Sequence, residues 1–192
     1  MIAADHSLVI GDYYDKLPSL INSPLYDVFM QLPKPAVHHA HLTACANVDF
    51  LVSLTYKDFV VYSQKENEFD ISSEEKPCTR EGFIKVNTLR QYWKNPAEFD
   101  QYLKDKIALQ APGCNATDHK IWEGFEYKFK LCYKLYHYKP LFERILYRVT
   151  RDFINEMVTV VEYRHIMGGV FDEYGNVLDT MQELAIFQNC LK

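Results

Sequence analysis

Two segments of strand character lie far apart in this chain, Ala36 to His41 and Val158 to Arg164, and most of what separates them reads as helix. The second segment, Val158-Thr159-Val160-Val161-Glu162-Tyr163-Arg164, is short and rich in β-branched residues, which favour strands. Two strong helical patterns precede it. After the candidate N-cap Asp118, the residues Trp122, Phe125, Phe129, Cys132 and Tyr136 recur at spacings of three and four. After Pro140 the series is Phe142, Ile145, Leu146, Val149, Phe153 and Met157. Gly168-Gly169 then marks a turn, and Leu178 to Cys190 reads as a final helix with Met181, Leu184, Ala185 and Phe187 apolar. The order strand, helices, strand, helix is the start of an α/β pattern, in which helical crossovers join parallel strands.

The approach to the first strand is set by prolines. Residues 13 to 31 read as helix broken near Pro18 and again near Pro24, with Ile21, Leu25, Val28 and Phe29 as an apolar stripe. Pro33 and Pro35 stop that helix, and proline biases the residue before it toward extended geometry. Within the strand the side-chain period is two, so His39 and His41 share a face and both imidazoles can reach one metal ion. That is half a metal site. His38 points to the other face and reads as structural.

Between the two strands, Asn47 caps a short helix reaching about Tyr56, with Val48, Phe50, Leu51 and Leu54 inward. Phe59 to Tyr62 suggests a brief strand. Residues 63 to 79 are polar and acidic, the composition of an exposed loop or insertion, and Phe83 to Val86 reads as its returning strand. Ala97 to Leu109 reads as helix, and Ala111 to Thr117 as a turn-rich connector that includes a glycosylation triplet at Asn115.

Composition narrows the function classes. With 192 residues, 48% hydrophobic and 24% charged, the chain can bury a substantial core. The 14 Tyr and 12 Phe are then read as core packing before base stacking. A net charge of -5 excludes a nucleic-acid backbone as the expected partner. No apolar run approaches the roughly 18 to 20 residues that span a bilayer, so no membrane association is expected. The segment Met1 to His6 lacks a basic and then apolar leader pattern, which reads as no secretory signal and a cytosolic chain as written. Five cysteines with no CxxC pairing fit reduced thiols better than a disulfide framework.

Leu32-Pro33-Lys34 followed by His39-x-His41 at a strand end resembles the first-strand signature of the adenosine deaminase family. Trp122-Glu123-Gly124-Phe125-Glu126 with His137-Tyr138-Lys139-Pro140-Leu141-Phe142, and Val160-Val161-Glu162-Tyr163-Arg164, resemble the growth-factor-related branch of that family. The three islands stand in the family's order, so the resemblance runs from about Leu32 to Gly175. It implies the N-terminal part of a (β/α)₈ barrel, about two βα units, with the active site at the C-terminal ends of the strands. Residues 1–31 would be a helical extension and 32–192 the partial barrel, with an insertion at about 57–95.

The resemblance also implies a cofactor and a reaction. Zinc in that family is held by two first-strand histidines, here His39 and His41, and by a histidine and an aspartate on later strands. Zinc lowers the pKa of a water that attacks the purine C6 and expels ammonia, taking adenosine to inosine. A purine nucleoside is thus the implied ligand, and Trp122 matches a tryptophan that lines its pocket. Where the family has a ribose-contacting aspartate just after the second histidine, this chain has Leu42 and Thr43. Only His119, His137 and His165 follow His41, none in a later barrel strand, so the expectation is a chain without the catalytic second half and inactive alone. The related branch is extracellular and carries a disulfide in its insertion, where Cys78 matches one partner and no cysteine matches the other.

Alternative readings remain at this stage. Trp122 suits a core position on an apolar stripe as well as a nucleoside contact. Glu162 and Arg164 share a strand face and suit pairing with each other or a neighbour. For the whole chain, one alternative is a non-catalytic module of deaminase ancestry that forms a homodimer through its N-terminal helices. Another is an unrelated small α/β protein with a coincidental histidine pair, in which residues 36–41 and 158–164 would not be adjacent parallel strands.

Overall fold

The computed structural model describes residues 13–109 and 118–190. In chain order they form α1 (Tyr13–Ile21), α2 (Pro24–Gln31), β1 (Lys34–His41), α3 (Leu42–Cys45), α4 (Val48–Leu54), β2 (Val60–Ser63), β3 (Glu68–Ile71) and β4 (Ile84–Lys85). Then come α5 (Val86–Tyr92), α6 (Pro96–Ile107), α7 (Asp118–His137), α8 (Lys139–Asn155), β5 (Val158–Arg164) and α9 (Thr180–Cys190). The fold is mixed α/β. Residues 1–12 and the connector 111–117, with Cys114 and the Asn115 triplet, lie outside the described residues.

β1 and β5 pair in parallel, with Lys34 opposite Val158, Val37 opposite Val161 and His41 opposite Arg164. This is the pairing the α/β reading requires and the unrelated-fold reading forbids. β1 begins at Lys34, ahead of the expected Ala36, so Pro35 lies inside it. Pro35 cannot donate to a ladder, but its carbonyl accepts from the Thr159 hydroxyl at 2.5 Å.

α7 and α8 cross between the strands and supply much of the core. Leu131 and Leu135 of α7 and Leu141, Phe142, Ile145, Leu146 and Val149 of α8 are all buried, so the α8 stripe lies where its spacing placed it. Met157 falls outside that helix, in a left-handed turn with φ 60° leading into β5. Pro140 sits in the first turn of α8, where its missing N–H costs no helical bond. Asn47 caps α4, its side chain accepting from the amides of Asp49 at 2.8 Å and Phe50 at 3.4 Å.

A second sheet, in the order β3-β2-β4, is antiparallel and corrects the loop reading of residues 63–79 at Ser63 and at Glu68 to Ile71, while 64–67 and 72–79 are turns and irregular chain. Glu68-Phe69-Asp70-Ile71 alternates with period two; Phe69 and Ile71 are buried, while Arg80 spans Glu68 and Asp70 at 3.0 and 3.1 Å. Of the acidic residues that suggest a loop, Glu68 and Asp70 form the outer, partly exposed face of this strand. Phe83 to Val86 keeps only Ile84 and Lys85 as strand, and the fully buried Val86 opens α5. The chain breaks at Asn22-Ser23, where Ser23 caps α2, but Pro18 lies within α1 without ending it. The α1 and α2 stripe is uncovered: Leu25, Val28 and Phe29 are each more than half exposed.

Arg90 is the buried charge that ties α4, α5 and α6 together. Its guanidinium meets Asp100 at 2.8 Å, the Thr55 carbonyl at 3.2 Å and Asn87 at 3.0 Å, and lies 3.6 Å from the Tyr56 ring centre. Among the described residues Cys45, Cys78, Cys132 and Cys190 are free thiols, and burial pushes Cys132 up to about 12. No helix of the described residues is long and apolar enough to cross a membrane.

Removing one member of a buried, hydrogen-bonded pair strands the other. Arg90→Ala is therefore expected to cost about 3 kcal/mol or more, whereas the exposed Arg80→Ala costs under about 1 kcal/mol, both read from urea unfolding midpoints.

Candidate active site

His39 and His41 lie at the C-terminal end of β1, both exposed, with their Nε2 atoms 3.0 Å apart and ring centres 4.8 Å apart. Two zinc–nitrogen bonds of about 2.0–2.1 Å at a tetrahedral angle place ligand nitrogens about 3.3–3.4 Å apart. The pair thus fits two adjacent corners of such a site with a shift of a few tenths of an ångström. Among the described residues no group of three His, Cys, Asp or Glu side chains converges to complete it.

The register explains how neighbouring side chains reach the pair. It shifts between Val37 and Ala40, so that His38 and His39 together stand opposite the single residue Glu162. A bulge of this kind re-aims side chains, and here it breaks the strict alternation that would have sent His38 away from this cluster. His38 Nδ1 lies 3.3 Å from Glu162, which also accepts from Arg164 at 3.1 Å. These two hydrogen bonds, His38 first, hold the Glu162 carboxyl below the usual carboxylate range. The expected pairing of Glu162 with Arg164 is present, and Arg164 further extends to the His38 carbonyl at 3.0 Å and to His39 Nδ1 at 3.4 Å.

Beside the pair is a cavity of about 360 Å³ between the ends of β1 and β5 and the flank of α7. His41, Tyr133, Tyr136 and His137 form one wall, and the loop Ile166-Met167-Gly168-Gly169 forms the other. The loop is pinned from behind by Glu183 of α9, which is fully buried. One Glu183 oxygen accepts from the amides of Gly168 at 2.9 Å and Val170 at 3.0 Å, and the other meets His165 at 2.9 Å. His165 packs against the rings of Phe142 and Phe187, which also touch each other. A second tie joins the loop to α7, where the Phe171 amide donates to the His137 carbonyl at 2.7 Å. His137 donates from Nδ1 to the Tyr133 carbonyl at 2.7 Å and stacks on the Tyr133 ring, and burial holds its imidazole below the ordinary histidine value. Gly169 must stay small, since a Cβ there would sit 2.6 Å from the His137 ring.

Trp122 does not take the core position that its apolar stripe offers. It is 60% exposed on α7 and lines neither this cavity nor its neighbour. Its ring packs 5.4 Å from Phe125, which lines that neighbouring cavity of about 210 Å³, and the two cavities share Thr43, Phe129 and Tyr136. Glu183 carries no apolar signal, and the apolar residues of α9 in the sequence are Met181, Leu184, Ala185 and Phe187. In the structure Met181 and Leu184 are exposed, and Glu183 and Ile186 are the buried pair at i, i+3.

No family model matches the chain. It is 27% identical to adenosine deaminase 2-A of Danio rerio over 186 residues, 92% of this chain and 37% of that protein. It is 23% identical to an adenosine deaminase of Phlebotomus duboscqi, over 92% of this chain and 36% of the relative. With adenosine deaminase 2 of Dictyostelium discoideum it shares 24% identity, over 85% of this chain and 32% of the relative. The chain therefore spans about a third of the length of the curated relatives it matches.

Truncating Glu183 would leave the buried Val170 amide and the buried His165 imidazole without their acceptor, each costing about 1–3 kcal/mol, and would release the more exposed Gly168 amide as well. Glu183→Ala is expected to lower stability by at least about 3 kcal/mol and to speed hydrogen exchange at Gly168 and Val170 ahead of the α8 core, as read by amide exchange NMR.

Proposed function

We infer that this chain, which resembles the N-terminal portion of adenosine deaminases over about nine tenths of its length, carries one half of the ligand set of a zinc-dependent hydrolytic deaminase. The observation that carries the reading is the His39–His41 pair, with Nε2 atoms 3.0 Å apart, at the C-terminal end of a strand paired in parallel to β5. In an α/β barrel that end is where sites are built, and β1 and β5 are read as the first two barrel strands. When bound, zinc supplies a Lewis acid that brings the pKa of a water toward neutrality.

The chain's own residues take the remaining roles in this reading. His39 and His41 hold the metal by Nε2. The Glu162–His38–Arg164 network braces the bulge that aims them. The cavity beside them, walled by Tyr133, Tyr136 and His137, is of a size to admit the planar base of a purine nucleoside, and on this reading the exposed Trp122 of α7 is a further nucleoside contact from outside the cavity wall. Two ligands do not complete a catalytic zinc site, so adenosine-to-inosine turnover requires a further histidine and carboxylate from outside these 192 residues.

Calorimetric titration of Zn²⁺ into the purified chain is expected to show binding that is lost in His39→Ala and His41→Ala. The same chain with added Zn²⁺ is expected to release no inosine from adenosine; clear turnover that disappears in His39→Ala would overturn the half-site reading.

One observation favours a second reading as an interaction module, the uncovered apolar face of α1 and α2. On that reading the chain is a homodimer through these helices, with or without zinc. Sedimentation is then expected to show a dimer that becomes a monomer in the Val28→Asp, Phe29→Asp double variant.

A further inference from the structure

Arg164 stands where a metal-binding histidine would need an acceptor. Its Nη2 donates to Glu162 at 3.1 Å and to the His38 carbonyl at 3.0 Å, and its Nε points to His39 Nδ1 at 3.4 Å. A guanidinium carries donors only and keeps its charge at every working pH. His39 Nδ1 is therefore the acceptor, and the neutral ring carries its proton on Nε2. That proton is donated to His41 Nε2, 3.0 Å away, which leaves the His41 proton on Nδ1. One arginine thus sets the tautomer of both rings: His39 Nε2 has no free lone pair, and that of His41 Nε2 is occupied.

Metal ligation by the two Nε2 atoms needs His39 in the other tautomer and the His41 lone pair freed from its hydrogen bond. Both must offer lone pairs, and each Nδ1–H must find a carboxylate, carbonyl or water acceptor. Arg164 presents His39 with the opposite. We propose that Arg164 is a positioning residue that latches the His39–His41 pair in a metal-free, self-hydrogen-bonded tautomer, and that uptake of a divalent cation requires its guanidinium to release His39. Glu162, already paired with it, retains the arginine when it leaves. In the exchange one proton leaves His39 Nε2 to water as another reaches Nδ1 from water. The inference rests on the reading of His39 and His41 as metal ligands.

The test combines imidazole ¹⁵N NMR of the metal-free chain with Zn²⁺ titration of the wild type, Arg164→Met, Arg164→Gln and His39→Ala. In the wild type His39 is expected to show protonated Nε2 and bare Nδ1. Both Arg164 variants are expected to lose that preference and to bind Zn²⁺ about tenfold more tightly. A wild-type His39 protonated on Nδ1, or Arg164 variants that bind no more tightly while His39→Ala abolishes binding, overturns the latch alone. Zn²⁺ affinity unmoved by His39→Ala overturns the metal reading beneath it.

Discussion

The parallel pairing of β1 with β5 is the constraint on which the rest of the structure depends. Parallel neighbours need a long crossover, and α7 and α8 provide it while burying their apolar stripes. Because both strands run the same way, their C-terminal ends lie side by side, His41 opposite Arg164. The cross-strand contacts of the candidate site follow from that adjacency: Glu162 with His38, Arg164 with His38 and His39, and the cavity between strand ends and α7. An antiparallel pairing of the same two segments would send Arg164 to the far end of β1.

The local bulge decides chemistry that the pairing alone leaves open. With strict alternation, His38 and His39 would face opposite sides of the sheet. Two residues set against Glu162 allow both to meet the Glu162–Arg164 pair. The consequence is a chain of hydrogen bonds from His38 through Glu162 and Arg164 to His39 and His41. In the proposed deaminase site this chain governs whether the pair presents lone pairs outward or spends them on itself.

The far wall of the cavity depends on a buried carboxylate. A loop carrying free amides cannot be buried without acceptors, and Glu183 supplies them for Gly168 and Val170 while holding His165. α9 is therefore attached through a polar anchor as much as through Ile186. The same principle operates at Arg90, where one buried cation satisfies groups from α4, α5 and α6 and fixes the region around the second sheet. Both are charged residues at positions where periodicity predicts apolar ones or surface.

Local pattern was enough to place α7, α8, β5, the Asn47 cap and the shared face of His39 and His41, because each rests on short-range spacing and backbone stereochemistry. The same pattern, with its family resemblance, sufficed to anticipate the similarity to adenosine deaminases over about nine tenths of the chain. It failed at β3, where acidic residues masked a period of two, at the buried face of α9 though not at the helix itself, and at Trp122, whose stripe position did not bury it. Those failures share a cause: burial depends on what the rest of the chain brings to a face, which spacing does not encode. Which nitrogen of His39 faces a cation, which carboxylate pins the Gly168 loop and how large a cavity lies beside the pair were decided only by tertiary structure. Each depends on residues more than a hundred positions apart meeting within hydrogen-bond distance, or on a helix packing back over a loop, and neither is a local property of the chain.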